Sequence, residues 1–234
     1  MRRTPPDQNL PPLRLPSLVL RGRADSMPPA SPAASPTPTP TATPPPTPAP
    51  FTPGAGFEIS GSAADKASFN AMVGAEMARS PSFKALVEAI NADSAHPTKL
   101  DLGRNQAGIF VDGFVGGKMD LTDIEKWPTD PPADHPHAMT QGQNLAHVLS
   151  EAHQKALGQA YAAAHATAIG DENRYRHDRG QTSSLRLPPN DVVLGTGGSV
   201  VFQFDNGYKE QVGRDAAGTS ITGITRNEPP TPTP

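Results

Sequence analysis

A chain of 234 residues with no cysteine, one tryptophan and 5% aromatic residues is not a disulfide scaffold, and any metal it holds must be held by histidine and carboxylate rather than thiolate. Residues 1–53 contain 17 of the 29 prolines, so that segment cannot build a core, and one folded domain behind it is the most the composition supports. The formal charge of −3 divides into +3 over residues 1–53 and −6 over the rest, which excludes a generally basic nucleic-acid binder.

The chain opens Met1-Arg2-Arg3, but the apolar stretch Leu10 to Leu20 is broken by Pro11, Pro12, Arg14 and Pro16, too interrupted for the core of an export signal. No run approaches the ~20 apolar residues that cross a bilayer. The expectation is a soluble chain with no membrane span, cytoplasmic in the producing cell, with export open only through a machine that reads an extended terminus. Residues 28–53 are Pro/Thr/Ala repeats that favour polyproline II, either a plain spacer or a docking tail for a partner or secretion apparatus. The sequence therefore reads as a disordered leader (1–53), one α+β domain (54–227) and a Pro-rich tail (228–234).

Within the domain, residues 62–78 place Phe69, Met72, Val73 and Met77 at spacings of three and four behind a capping Ser62, which predicts a helix. A second helix over 82–92 carries Phe83, Leu86, Val87 and Ile90 after Ser80-Pro81. Short alternating stretches at 99–102, 108–112 and 117–121, punctuated by Gly, Asn and Asp, predict a small antiparallel meander. Two helices over 141–157 and 159–179 follow a Pro-rich loop and part at Gly158. Strands at 200–204 and 208–212 flank Asn206-Gly207, a strong hairpin signal. Helices around a small antiparallel sheet make the fold class α+β.

On the helix over 141–157, Leu145, Val148, Leu149, Ala152 and Ala156 form one apolar stripe. His147 and Glu151 stand on the opposite face, one turn apart, where both can reach a single ion. On the next helix Tyr161, His165, Ile169, Glu172 and Arg176 share a face. His165 and Glu172 lie about 10.5 Å apart along the axis at 1.5 Å per residue, too far for both to bind one ion. A hairpin of the two helices would thus bring two imidazoles and one carboxylate together, a donor set that suits zinc, or iron or manganese with other geometry. The plain alternative is a solvated His–Glu pair. His153 and His177 are expected at the surface, His135 and His137 in an unspecialised loop, and Glu172 in a salt bridge with Arg176.

The stretch QNLAHVLSEAHQKALGQAYAAAHATAIGDENRYRHDR, residues 143–179, resembles the compact zincin-type metallopeptidase domains of bacterial effectors and polymorphic toxins. The lead-in through SPSFKALVEAI and DLTDIEKWP is similar to the NleD-like effector peptidases. The resemblance implies a metal-dependent peptidase acting on a protein substrate, with His147 as first ligand and Glu151 in the place of the second histidine of H-E-x-x-H. His165 or Glu172 would then be the third ligand. Val148 stands where that motif carries its general base, so Glu172 or Tyr161 would have to serve in catalysis. The rival class is a non-catalytic binding or structural module, cargo or component of a secretion or contractile-injection assembly.

Overall fold

The computed structural model describes residues 47–187, 192–194, 199–216 and 220–227; the expected leader up to residue 46 and the tail over 228–234 lie outside them. The first sheet is built from β1 (Phe57–Ser60), β2 (Thr98–Gly103), β3 (Asp112–Gly113) and β4 (Lys118–Asp120), in the order β1-β2-β4-β3. Here the expected antiparallel meander is corrected. β1 runs parallel to β2 and β2 parallel to β4, and only β3 is antiparallel to its neighbour. The reason is the connection: α1 (Ala63–Arg79) and α2 (Pro81–Ala92) form the crossover between β1 and β2, and parallel pairing needs a crossover of that kind.

Both helices start on serines. Ser62 Oγ accepts the amide of Asp65 at 3.1 Å, and Ser80 Oγ accepts that of Phe83 at 3.1 Å ahead of Pro81. The folded part begins earlier than residue 54. Phe51 is 9% exposed, donates its amide to Asn70 O at 2.9 Å and sets its ring edge on Phe57. Gly74 makes room for this approach, since a Cβ there would stand 2.3 Å from Ala49 O.

A short helix α3 (Leu121–Glu125), unforeseen from sequence, follows β4 directly, with Asp120 as its cap. Next come α4 (Gln141–Ala156), opened by a Thr140/Gln143 capping box, and α5 (Tyr161–Asp178). They pack against each other as a hairpin turning at Gly158, whose φ of 82° suits the break. The remaining strands β5 (Val192–Leu194), β6 (Val200–Gln203), β7 (Lys209–Arg214) and β8 (Ile221–Asn227) form an antiparallel sheet in chain order. The Asn206-Gly207 hairpin forms between β6 and β7, but Gly207 alone has positive φ, at 85°, and its amide bonds Phe204 O. The turn is therefore of the type I plus bulge kind rather than one with both central residues left-handed.

Two apolar clusters result. One packs Phe69, Phe83, Ile90, Leu100, Met119, Leu145 and Leu149 between the first sheet and the helices; the other gathers Trp127, Met139, Phe202, Phe204 and Tyr208 under the second sheet. Phe110 packs against both. Asp123 ties the two regions, accepting the amides of Val111 at 3.3 Å and Ile221 at 2.9 Å. No helix among the described residues is long and apolar enough to cross a membrane.

Candidate metal centre

The helix expected to have a wet face has none in its middle: all ten residues from Gly142 to Glu151 of α4 are buried. Leu145 and Leu149 enter the first core. The polar side of the helix is covered by α5 and by the segment carrying Arg186, so His147 and Glu151 are 9% and 2% exposed rather than solvated. A His–Glu pair at this spacing that is taken out of water needs further partners.

Those partners come from α5. Its buried Ala164 and Ala168 are small enough to keep the helices close, and the Nδ1 of His165 lies 2.8 Å from Glu151 Oε2. The same oxygen is 3.5 Å from His147 Nε2, and the two imidazoles meet edge to face with centroids 4.8 Å apart. One ligand-capable atom from each of His147, Glu151 and His165 lies within 4.8 Å of the other two, so this group could hold a metal ion. Tyr161, one turn earlier, stacks on His165 at 5.2 Å and is 53% exposed at the rim.

Glu172 sits behind the group. Its Oε2 is 3.3 Å from His147 Nδ1, so each ring nitrogen of His147 faces a carboxylate oxygen, Nδ1 that of Glu172 and Nε2 that of Glu151. Glu172 is fully buried and pairs with Arg186 rather than with Arg176. Arg176 instead donates to Ser184 O at 2.7 Å and His137 O at 2.9 Å. This corrects the salt bridge expected from the i, i+4 spacing. Arg186 is held by a reciprocal pair of bonds between its backbone and the Asn173 amide, at 3.0 Å each, and its guanidinium lies over Phe202.

Asp112 completes the constellation. It lies on β3 and lines the same cavity as Glu151. The preceding residues form a three-residue turn: the Asp112 amide donates to Phe110 O at 2.5 Å around Val111, whose φ is 60°. A β-branched residue at positive φ is a strained conformation, of order 1–3 kcal/mol. The strain is held in place by bonds from the Val111 amide to Asp123 and from the Asp120 amide to Val111 O.

Together these residues wall a cavity of about 260 Å³, lined by Asp112, His147, Glu151, Tyr161, His165 and Arg186 and closed by apolar groups that include Phe110, Val148 and Phe202. Glu172 is not on its wall. Burial first, and the Glu151 charge second, push the Asp112 carboxyl up to about 7. Burial opposes ionisation of Glu151 as well, yet hydrogen bonds from His147 and His165 hold it well below the usual carboxylate range. Burial would lower His147, but the bonds to Glu151 and Glu172 outweigh it and raise the imidazole. Glu172 is held low against burial by Arg186 and His147.

Of the residues singled out from sequence, His147, Glu151, His165 and Tyr161 meet at the cavity and Glu172 stands behind it. His153, expected at the surface, is largely covered and bonds Thr98 Oγ1 at 3.1 Å, away from the group. His177 is exposed, and His135 and His137 do not line the cavity. Asp112 and Arg186 were not anticipated, because no periodicity relates an acid on a two-residue strand, or an arginine beyond the last helix, to α4.

Comparison with known protein families, curated proteins and solved structures finds no match to this chain.

Proposed function

We propose that the protein is a zinc-binding domain of zincin-like type that hydrolyses a protein substrate, with His147, Glu151 and His165 as its donors to the ion. The observation that carries this reading is the convergence of the three donor groups at the wall of one cavity, with the far nitrogen of His147 already engaged by Glu172. Metal-bound imidazoles are commonly oriented by such a carboxylate. Bonds of 2.0–2.2 Å in a tetrahedral site place neighbouring donors about 3.3 Å apart. The separations of 2.8 and 3.5 Å from Glu151 to the two imidazoles bracket that value. Two nitrogens and one oxygen without thiolate suit zinc, and three protein donors leave a fourth position facing the cavity.

When bound, the ion would act as a Lewis acid and lower the pKa of its water towards ~7. The chain's own residues have separate tasks. Glu172 and Arg186 orient His147, and the Tyr161 hydroxyl stands at the rim to hydrogen-bond a substrate oxygen. One residue favours a second reading: Val148 lines the cavity where a zincin helix would carry its base. On that reading the ion is structural, and the domain is a non-catalytic module, cargo or component of a secretion or injection assembly.

The test is metal content of the full chain purified without chelator. About one equivalent of zinc is expected for wild type and far less for His147→Ala and His165→Ala. Equal, sub-stoichiometric metal in all three overturns the proposal. A zinc-loaded chain that leaves unfolded casein intact favours the second reading.

A further inference from the structure

From the end of β3 to the start of β4 the chain runs Gly113-Phe114-Val115-Gly116-Gly117. The two outer glycines are fixed: Gly113 O accepts the amide of Gly117 at 2.9 Å, and Gly117 O accepts that of Asp101 at 2.8 Å. The tip between them, Phe114 to Gly116, lies outside both strands. Val115 is 91% exposed, and the half-buried Phe114 belongs to neither apolar core. Its ring stands edge-on to that of Tyr161, with centroids 5.3 Å apart. Both residues line the cavity of about 260 Å³ and also a hollow of about 500 Å³ outside it, so the pair stands between the two spaces.

The polar bonds that hold this tip come from one side chain. Lys155, in the last turn of α4, donates from Nζ to Phe114 O and, at 2.6 Å, to Val115 O. Its ammonium also lies 5.3 Å from the centroid of the Phe114 ring, where a cation is attracted to the aromatic face. Another hollow, of about 450 Å³, separates Val115 and Gly116 from His96 and Ala152. The tip thus has empty space on either side, glycine at both ends and a single charged group to fasten it. Small residues at the ends of a segment are where a hinge absorbs its change of backbone angle.

We propose that Phe114 and Tyr161 are the gate of the cavity and that Lys155 is its latch. Bonded to Lys155, the tip closes the mouth; released from it, the tip swings away from Tyr161 and opens the way to His147 and His165. The gate acts on whatever enters, with or without an ion, so it does not depend on the metal reading above.

The experiment treats the full chain with diethyl pyrocarbonate, which acylates accessible imidazoles, with a chelator present so that no ion shields them. Mass spectrometry of the peptides gives a rate for each histidine. Exposed His177 supplies the reference, and His153, largely covered but outside the cavity, reports any general loosening. Lys155→Met keeps the aliphatic stem and loses the donor. It is expected to raise the His165 rate about 5-fold, the effect of one lost hydrogen bond on the population of the open tip, with His153 unchanged. Lys155→Arg can still donate to both carbonyls and should stay close to wild type. Phe114→Ala removes the gate itself and should raise His165 at least as much as Lys155→Met. A methionine variant in which His165 reacts as slowly as in wild type overturns the latch, as does an arginine variant as fast as the methionine one. An alanine variant with His165 still slow overturns the gate. A rise at His153 equal to that at His165 would make Lys155 a brace of the fold and equally overturn the proposal. If the chain holds no zinc, the metal reading falls and these rates still decide the gate.

Discussion

Arg186 and Glu172 place opposite charges side by side with 2% and 0% of their side chains exposed. The pair is a structural commitment as much as a functional one, since each charge has left water only because the other is there. Replacing Arg186 with methionine, which keeps length and loses charge, leaves the Glu172 carboxylate buried beside His147 alone. A loss of about 3–5 kcal/mol is expected, read as a lower urea midpoint at unchanged slope. Glu172→Gln should cost less, because a neutral amide can still accept from His147 and Arg186. The sequence offered no route to this pair. The i, i+4 spacing points Glu172 at Arg176, but Arg176 is drawn away to Ser184 O and His137 O, carbonyls of loops that no helical periodicity describes.

At the level of elements the reading from sequence fares unevenly, for physical reasons. The four long helices fall within two or three residues of expectation because each has an apolar period and a side-chain or glycine punctuation mark at an end. In the first sheet the strands at 99–102 and 117–121 were foreseen but wrongly paired, since alternation fixes which residues face the core and says nothing of the neighbour's direction, and Phe57–Ser60 was not foreseen. The strand over Ile221–Asn227 went unseen because its repeated Thr and Gly give it no apolar alternation. The His147–Glu151–His165 group was legible because two helices joined at one glycine can fold back in few ways; Asp112 depends on a crossover that the sequence does not announce. Helix packing itself can be tested at two glycines. A Cβ on Gly142 of α4 would stand 2.1 Å from Tyr175 Oη and 2.7 Å from Glu76 Oε2, so Gly142→Ala should lose about 1–3 kcal/mol by overpacking. Gly170 of α5 has nothing within 4 Å of the same position, and Gly170→Ala should gain about 0.5–1 kcal/mol from helix propensity. Thermal melts of the two variants in opposite directions check the α4–α5 contact.

For the molecule as a whole, two acids far from the cavity set a dependence on pH. Glu210 of β7 is fully buried, and burial pushes it up to about 7 in spite of bonds from the Met139 amide at 2.8 Å and Arg226 Nε at 2.9 Å. Glu76, under Tyr175, is raised by burial too. A carboxyl whose folded pKa exceeds its unfolded value near 4.5 holds its proton more tightly when folded. The stabilisation is complete below pH 4.5 and is lost as the pH climbs through about 7, the reverse of an ion-paired acid. Stability should therefore decline between pH 5 and 7, and Glu210→Gln should flatten that decline. Urea midpoints across the range, for wild type and variant, measure it. A wild-type curve that rises over the same interval would contradict the assignment.

Ten successive residues of α4 out of water also have a kinetic side. A segment enclosed all round meets solvent only when the domain opens, so its amides belong to the slowest class for exchange with deuterated water. Anything seated on His147 and Glu151 shares that confinement: it departs by the mouth beside Tyr161 and Phe114, or it waits for the protein to come apart.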